Sequence, residues 1–144
     1  MCCESSIIDY AKKSLMDELY SAAIYRRLAK LYTGKSVSEK LLRIAEMEGR
    51  HSRFWLDFLR RRGVEISKFT VNKFKVLLST ILFRILGLAL TFRILEIGER
   101  NAIQLYSMML ESPKLTEEEK QGIRSILEDE LVHEYEFCRR GIKI

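Results

Sequence analysis

Two glutamates are each followed by a histidine three residues later, in Glu48-Gly-Arg-His51 and Glu130-Leu-Val-His133. These are the only two histidines in the chain. On a helix, residues three apart leave the same face about one turn apart, so each pair can address one metal centre. Two further glutamates, Glu18 and Glu99, fall within helical stripes of apolar residues. Glutamate is almost never fully buried unless paired or bound to a metal, so four at core positions call for a shared cause. Four carboxylates balance two divalent ions, and such a neutral cluster costs far less to bury than bare carboxylates. Carboxylate and imidazole donors suit iron or manganese, whereas soft thiolates suit zinc or copper(I).

The pattern also repeats. The first half holds Glu18, Tyr25, Glu48 and His51, and the second holds Glu99, Tyr106, Glu130 and His133. In each half the tyrosine follows its glutamate at +7, and the Glu-x-x-His comes on the next helix. The gap from tyrosine to the second glutamate differs by one residue between halves. Such symmetry suits two equivalent ions about a pseudo-twofold axis. Tyr25 and Tyr106 sit on core stripes, where a tyrosine ordinarily packs and bonds its hydroxyl to a neighbour. Beside a redox metal a tyrosine can also orient a ligand or donate an electron, so both are candidate catalytic residues.

Four helices must position these groups. The first is expected over about 6–33, stopping at Gly34, a natural left-handed cap. The second is expected over 37–62, opened by a capping box at Ser36-Val-Ser-Glu39 and ended at Gly63. The third covers 71–112, with a break expected near Gly87, and stops before Pro113. The fourth covers 117–140, opened by a capping box at Thr116-Glu-Glu-Glu119. The inward stripes read Ile7, Ala11, Leu15, Glu18, Ala22, Tyr25 and Ala29 on the first helix. On the second they read Leu41, Ile44, Glu48, His51, Trp55 and Phe58. The third gives Leu88, Phe92, Leu95, Glu99, Ala102 and Tyr106, and the fourth Ile123, Ile126, Glu130, His133 and Phe137.

At 144 residues the chain is expected to form a single domain. Apolar residues make up 47% and charged residues 31%, which suits a soluble globular fold and argues against disorder. One proline and seven glycines favour long helices over an all-β fold. The 25 basic and 20 acidic residues leave +5, with Lys and Arg occurring along the whole chain and not gathered in a tail. Cys2, Cys3 and Cys138 lack CxxC spacing, so a disulfide framework, a zinc ribbon or a four-cysteine iron site is unsupported. Met1–Lys13 has no apolar run of signal-peptide length, and a reducing, cytoplasmic setting is expected. Arg60-Arg61-Arg62 lies at a helix C-terminus, where the dipole favours cations. No nucleic-acid partner is expected.

These residues resemble the ferritin-like di-iron carboxylate superfamily, most closely its rubrerythrin branch, over nearly the whole chain. The resemblance implies an all-α, ferritin-like four-helix bundle with a long apolar crossover or extended helix between helices 2 and 3. It implies that Glu48 and Glu130 bridge two iron ions, that Glu18 and Glu99 are terminal ligands, and that His51 and His133 each cap one iron. Manganese, or a mixed Mn/Fe centre, would use the same ligands. Rubrerythrins often carry another ligand glutamate three residues after the third-helix one. Here that position is Ala102, while Glu96, three residues before Glu99, stands as a further candidate. With no rubredoxin domain in the sequence, electrons would come from a separate donor such as a rubredoxin. The stretch around Leu86–Arg100 is also similar, more loosely, to ferritin-like domains associated with vacuolar-iron-transporter-type proteins.

Val76 to Phe92 is almost continuously apolar but contains Arg84. Seventeen residues are short for a membrane span, and a central arginine costs roughly 2.5–3.5 kcal/mol on insertion. A crossover running the length of the bundle, or a helix fused to the third and covered in a homodimer or higher homo-oligomer, is the expectation. The alternative is a membrane-surface helix over 73–93, with Lys68, Lys73, Lys75, Arg84 and Arg93 as its basic groups.

The functional expectation is an oxidoreductase that oxidises its Fe(II) pair with hydrogen peroxide or dioxygen, as a peroxide scavenger against oxidative stress or as a ferroxidase. The alternatives are an iron-binding and delivery module serving a transporter or store, and a metal-free structural bundle.

Overall fold

A computed structural model describes residues 4–140, with side chains described for 6–135. The chain is all-α, as expected. Four helices follow in order, α1 (Glu4–Leu31), α2 (Ser36–Arg61), α3 (Lys73–Leu110) and α4 (Glu117–Arg140). No strand occurs among the described residues. Cys2 and Cys3 lie outside the described residues, as do the side chains of Phe137 and Cys138.

Two compact units make up the chain. One is Ala11–Leu82, comprising most of α1, all of α2 and the first turns of α3. Its core is built from the stripes. Ala11, Leu15, Ala22, Tyr25 and Ala29 of α1 are buried, as are Leu41, Ile44, Trp55 and Phe58 of α2. Trp55 packs edge-on to Phe58 with ring centroids 5.4 Å apart. Burying each such side chain stabilises the fold by about 1.5–3 kcal/mol. The other unit contains the start of α1 through Tyr10, then Phe83 onward. Its core includes Ile7, Phe83, Tyr106, Met109, Leu115, Ile123 and Ile126.

The helix ends show which local signals acted. Gly34 and Gly63 adopt φ +84° and +72°, the left-handed conformation that glycine reaches without strain. After α2, Gly63 N–H donates to Arg60 O and Val64 N–H to Leu59 O, a Schellman termination. The arginine run serves this same end. Arg60 pairs with Asp57 at 2.9 Å, and the Arg62 guanidinium lies 3.7 Å from the Phe58 ring centroid.

The capping box expected at Ser36 does not form. Lys35 is the N-cap and makes no side-chain cap, so Ser36 is already helical. Ser38, in the first turn, donates its hydroxyl to the Ala29 carbonyl of α1 at 2.7 Å. The box at Thr116 does form. Thr116 N–H donates to Glu119 Oε2 at 3.0 Å, and Glu119 N–H donates to Thr116 Oγ1 at 3.2 Å. Thr116→Ala is expected to cost about 1 kcal/mol, lowering Tm by about 3 °C in a differential scanning fluorimetry comparison.

The apolar segment belongs to α3. Asn72 caps it, with Oδ1 accepting from Phe74 N–H at 3.0 Å and Lys75 N–H at 3.1 Å. Asn72 N–H donates to Tyr20 Oη, tying this start to α1. The helix breaks at Gly87, whose φ of 77° and ψ of 170° are non-helical. The Thr91 hydroxyl donates to the Phe83 carbonyl at 3.0 Å, satisfying an acceptor beside the break.

Candidate metal centre

Within Ala11–Leu82, α1 contributes Glu18 and α2 contributes Glu48 and His51. His51 Nδ1 lies 3.4 Å from Glu18 Oε2 and 4.0 Å from Glu48 Oε1. All three residues are 3% exposed. Each offers one ligand atom within 4.8 Å of the others. The three-residue spacing places Glu48 and His51 on one face of α2, and the surrounding stripe of Leu41, Ile44, Trp55 and Phe58 turns that face inward.

The second unit holds a near copy. His133 Nδ1 of α4 lies 3.9 Å from Glu99 Oε2 of α3 and 3.8 Å from Glu130 Oε2. Glu99, Glu130 and His133 are all buried, and their ligand atoms again lie within 4.8 Å of one another. Ile123 and Ile126, two turns and one turn before Glu130, anchor that face of α4.

Packing two carboxylates and an imidazole out of water has electrostatic consequences. Burial raises the Glu99 carboxyl from 4.5 to about 8, and the neighbouring Glu130 carboxylate adds to the rise. His133 is pulled both ways. Burial disfavours its imidazolium, but hydrogen bonds and charge from Glu130 and Glu99 outweigh that and raise it from 6.5 to about 9. Metal-free, this triad therefore holds protons near neutral pH that a bound cation would have to displace.

All six expected ligands are thus brought to buried positions in two triads. Tyr25 and Tyr106 are buried on their stripes, each 1% exposed. Glu96 is placed differently. It pairs with Arg100 on the same helix, and Arg100 Nε also donates to Glu134 Oε1 at 2.8 Å. Arg100 was not among the expected site residues, although its place four residues after Glu96 is a helical ion-pair signal. Ser52, between His51 and Arg53, was also passed over. It is buried and its hydroxyl returns to the Gly49 carbonyl at 2.9 Å.

The donor set fits a hard divalent cation. Each triad offers two carboxylates and one imidazole, with no thiolate among them. The family model Rubrerythrin matches residues 9–140. No curated protein and no solved structure matches the chain.

Proposed function

The chain belongs to the Rubrerythrin family, within the ferritin-like superfamily, and from that premise we propose that it is a non-haem di-iron redox protein. Glu18, Glu48 and His51 with Glu99, Glu130 and His133 are the ligand set of this reading. The observation that carries it is the pair of matching buried triads, one in each compact unit. Two iron ions, when bound, would supply the electrons and the Lewis acidity for reduction of hydrogen peroxide or dioxygen.

The chain's own groups do the rest. The four carboxylates neutralise the ions and remove the cost of burying their charge. The imidazoles complete the donor set in neutral form, so His133 must release its proton from Nδ1 or Nε2 on loading. Glu99 must release the proton that burial holds on its carboxyl. The apolar residues flanking each triad, Trp55 and Ile126 among them, keep bulk water from the ligands. A separate electron donor such as a rubredoxin completes the cycle.

Anaerobic titration with Fe(II), followed by addition of peroxide or dioxygen in separate portions, tests the proposal. Binding of about two irons per chain and a new visible absorption on oxidation are expected. Sustained consumption of peroxide with a reduced rubredoxin present would mark the peroxidase. Iron uptake continuing well beyond two per chain would favour the iron-delivery reading. No Fe(II) binding and no thermal stabilisation by Fe(II) would sink both.

A further inference from the structure

The 25 basic and 20 acidic residues leave a net +5, and all of that excess falls on one segment. Residues 66–95 contain Lys68, Lys73, Lys75, Arg84 and Arg93 and no acidic residue. The other residues hold 25 − 5 = 20 basic and 20 acidic side chains, a balance of zero. Glu65 pairs with Lys68 at 3.3 Å. Among the described residues no ion pair engages Lys73, Lys75, Arg84 or Arg93.

The same segment carries the most exposed apolar face of the chain. Phe74, Leu77, Leu78, Ile81, Leu82 and Ile85 are between 39% and 76% exposed. At about 100° per residue they cover an arc of about 140° on the first part of α3. Lys75 borders one edge of that arc, and Lys73 and Arg84 border the other. Val76, Thr80 and Phe83, on the opposite side, are buried against protein. The helix is long and apolar enough to cross a membrane, but only 22% of its most apolar window is buried and one side is already occupied by protein. It cannot be immersed in lipid all round. An apolar face flanked on both edges by cations, with the opposite side packed on the fold, is the arrangement of a helix lying in a bilayer surface.

We propose that the Lys73–Leu86 stretch of α3 docks on a membrane surface containing anionic phospholipid. Its six apolar side chains enter the headgroup–acyl boundary, and Lys73, Lys75 and Arg84 reach the phosphates. The charge pattern favours lipid over a second copy of this chain. Twofold pairing of this face would set its cations against the same cations, with no acidic residue in the segment to compensate. Anionic headgroups supply the complement that this chain lacks.

Co-sedimentation of the full, iron-loaded protein with vesicles tests this. Binding is expected to vesicles of phosphatidylcholine with about one-third phosphatidylglycerol, and to weaken in 0.5 M salt. Neutralising Lys73, Lys75 and Arg84 together to glutamine is expected to lower partitioning about 100-fold, at about fivefold per charge. The double variant Ile81→Asp/Ile85→Asp should lose binding too, while circular dichroism and iron content stay as in the parent, since both side chains are exposed. Absence of binding to anionic vesicles at low salt overturns the proposal. So does equal binding to pure phosphatidylcholine, or a sedimentation dimer that Ile81→Asp/Ile85→Asp converts to monomer while vesicles capture neither form.

Discussion

Glu130→Leu is expected to lower iron binding from about two per chain to one or none and to cut oxidant consumption by about 100-fold or more, the scale of a lost metal-centred step. Glu130 is 1% exposed and shares its triad with Glu99 and His133. Leucine fills similar volume, so packing is largely kept and the change removes charge and ligation. The size of the stability effect then depends on metal. Without iron, the change removes the repulsion between Glu130 and Glu99 but also one partner of the His133 imidazolium, which Glu99 still pairs, so the two effects oppose and the net change is small. With iron, the variant loses the binding free energy that loading adds to the folded state. Tm measured with and without Fe(II) should therefore move, relative to the parent, mainly in the iron-loaded sample. Glu96→Ala is the control. Glu96 pairs with Arg100 outside the triad, and its loss should leave iron content and turnover unchanged. A Glu130→Leu protein that keeps two irons and the parental rate would sink the ligand assignment.

Legibility differed from helix to helix. On α1 and α2 every stripe residue is buried, and on α4 every described one is, because apolar and charged residues alternate there at helical spacing. The four glutamates stood out for the same reason, as charges on faces that are otherwise apolar. On α3 the periodicity carried less. Glu99 and Tyr106 are buried, yet Leu88, Phe92, Leu95 and Ala102 are only partly covered, and Ile94 and Ile97 are exposed. A helix apolar on all sides has no marked inward face, so only tertiary packing decides it. Caps followed a similar division. Thr116-Glu119 acted as a local motif, whereas at Ser36-Glu39 the helix starts one residue early, with Lys35 as N-cap, and the same kind of box does not form. Asn72 was not read as a cap because the third helix was expected to start one residue earlier, at position 71. Gly87 was legible as a break through its lack of a side chain, but not through any turn motif.

The metal-free protein is expected to lose stability steadily as pH rises from about 5 to about 9, and iron to reverse that trend. Glu99 titrates at 4.5 when unfolded and at about 8 in the folded, metal-free chain. A folded-state value raised in this way contributes stability that is fully present below 4.5 and is lost as pH passes through 8. His133 moves in the same direction, from 6.5 to about 9, so its contribution is full below 6.5 and lost as pH passes through 9. Physically, alkaline conditions force two carboxylates to share a dry site without the protons that separate their charges. Bound iron would replace those protons with a stronger counter-charge, and because loading would expel them, affinity is expected to rise with pH. Tm of the chelator-treated protein should fall across this range, by roughly 2–4 °C per kcal/mol lost. The Fe(II)-loaded protein under anaerobic conditions should hold its Tm or gain from about pH 6 to 8, so the gap between the two curves widens with pH. Glu99→Gln flattens the metal-free curve, because glutamine has no proton to lose. A metal-free protein whose Tm rises from pH 5 to 9 would show that the second triad does not sit as a buried, proton-holding cluster.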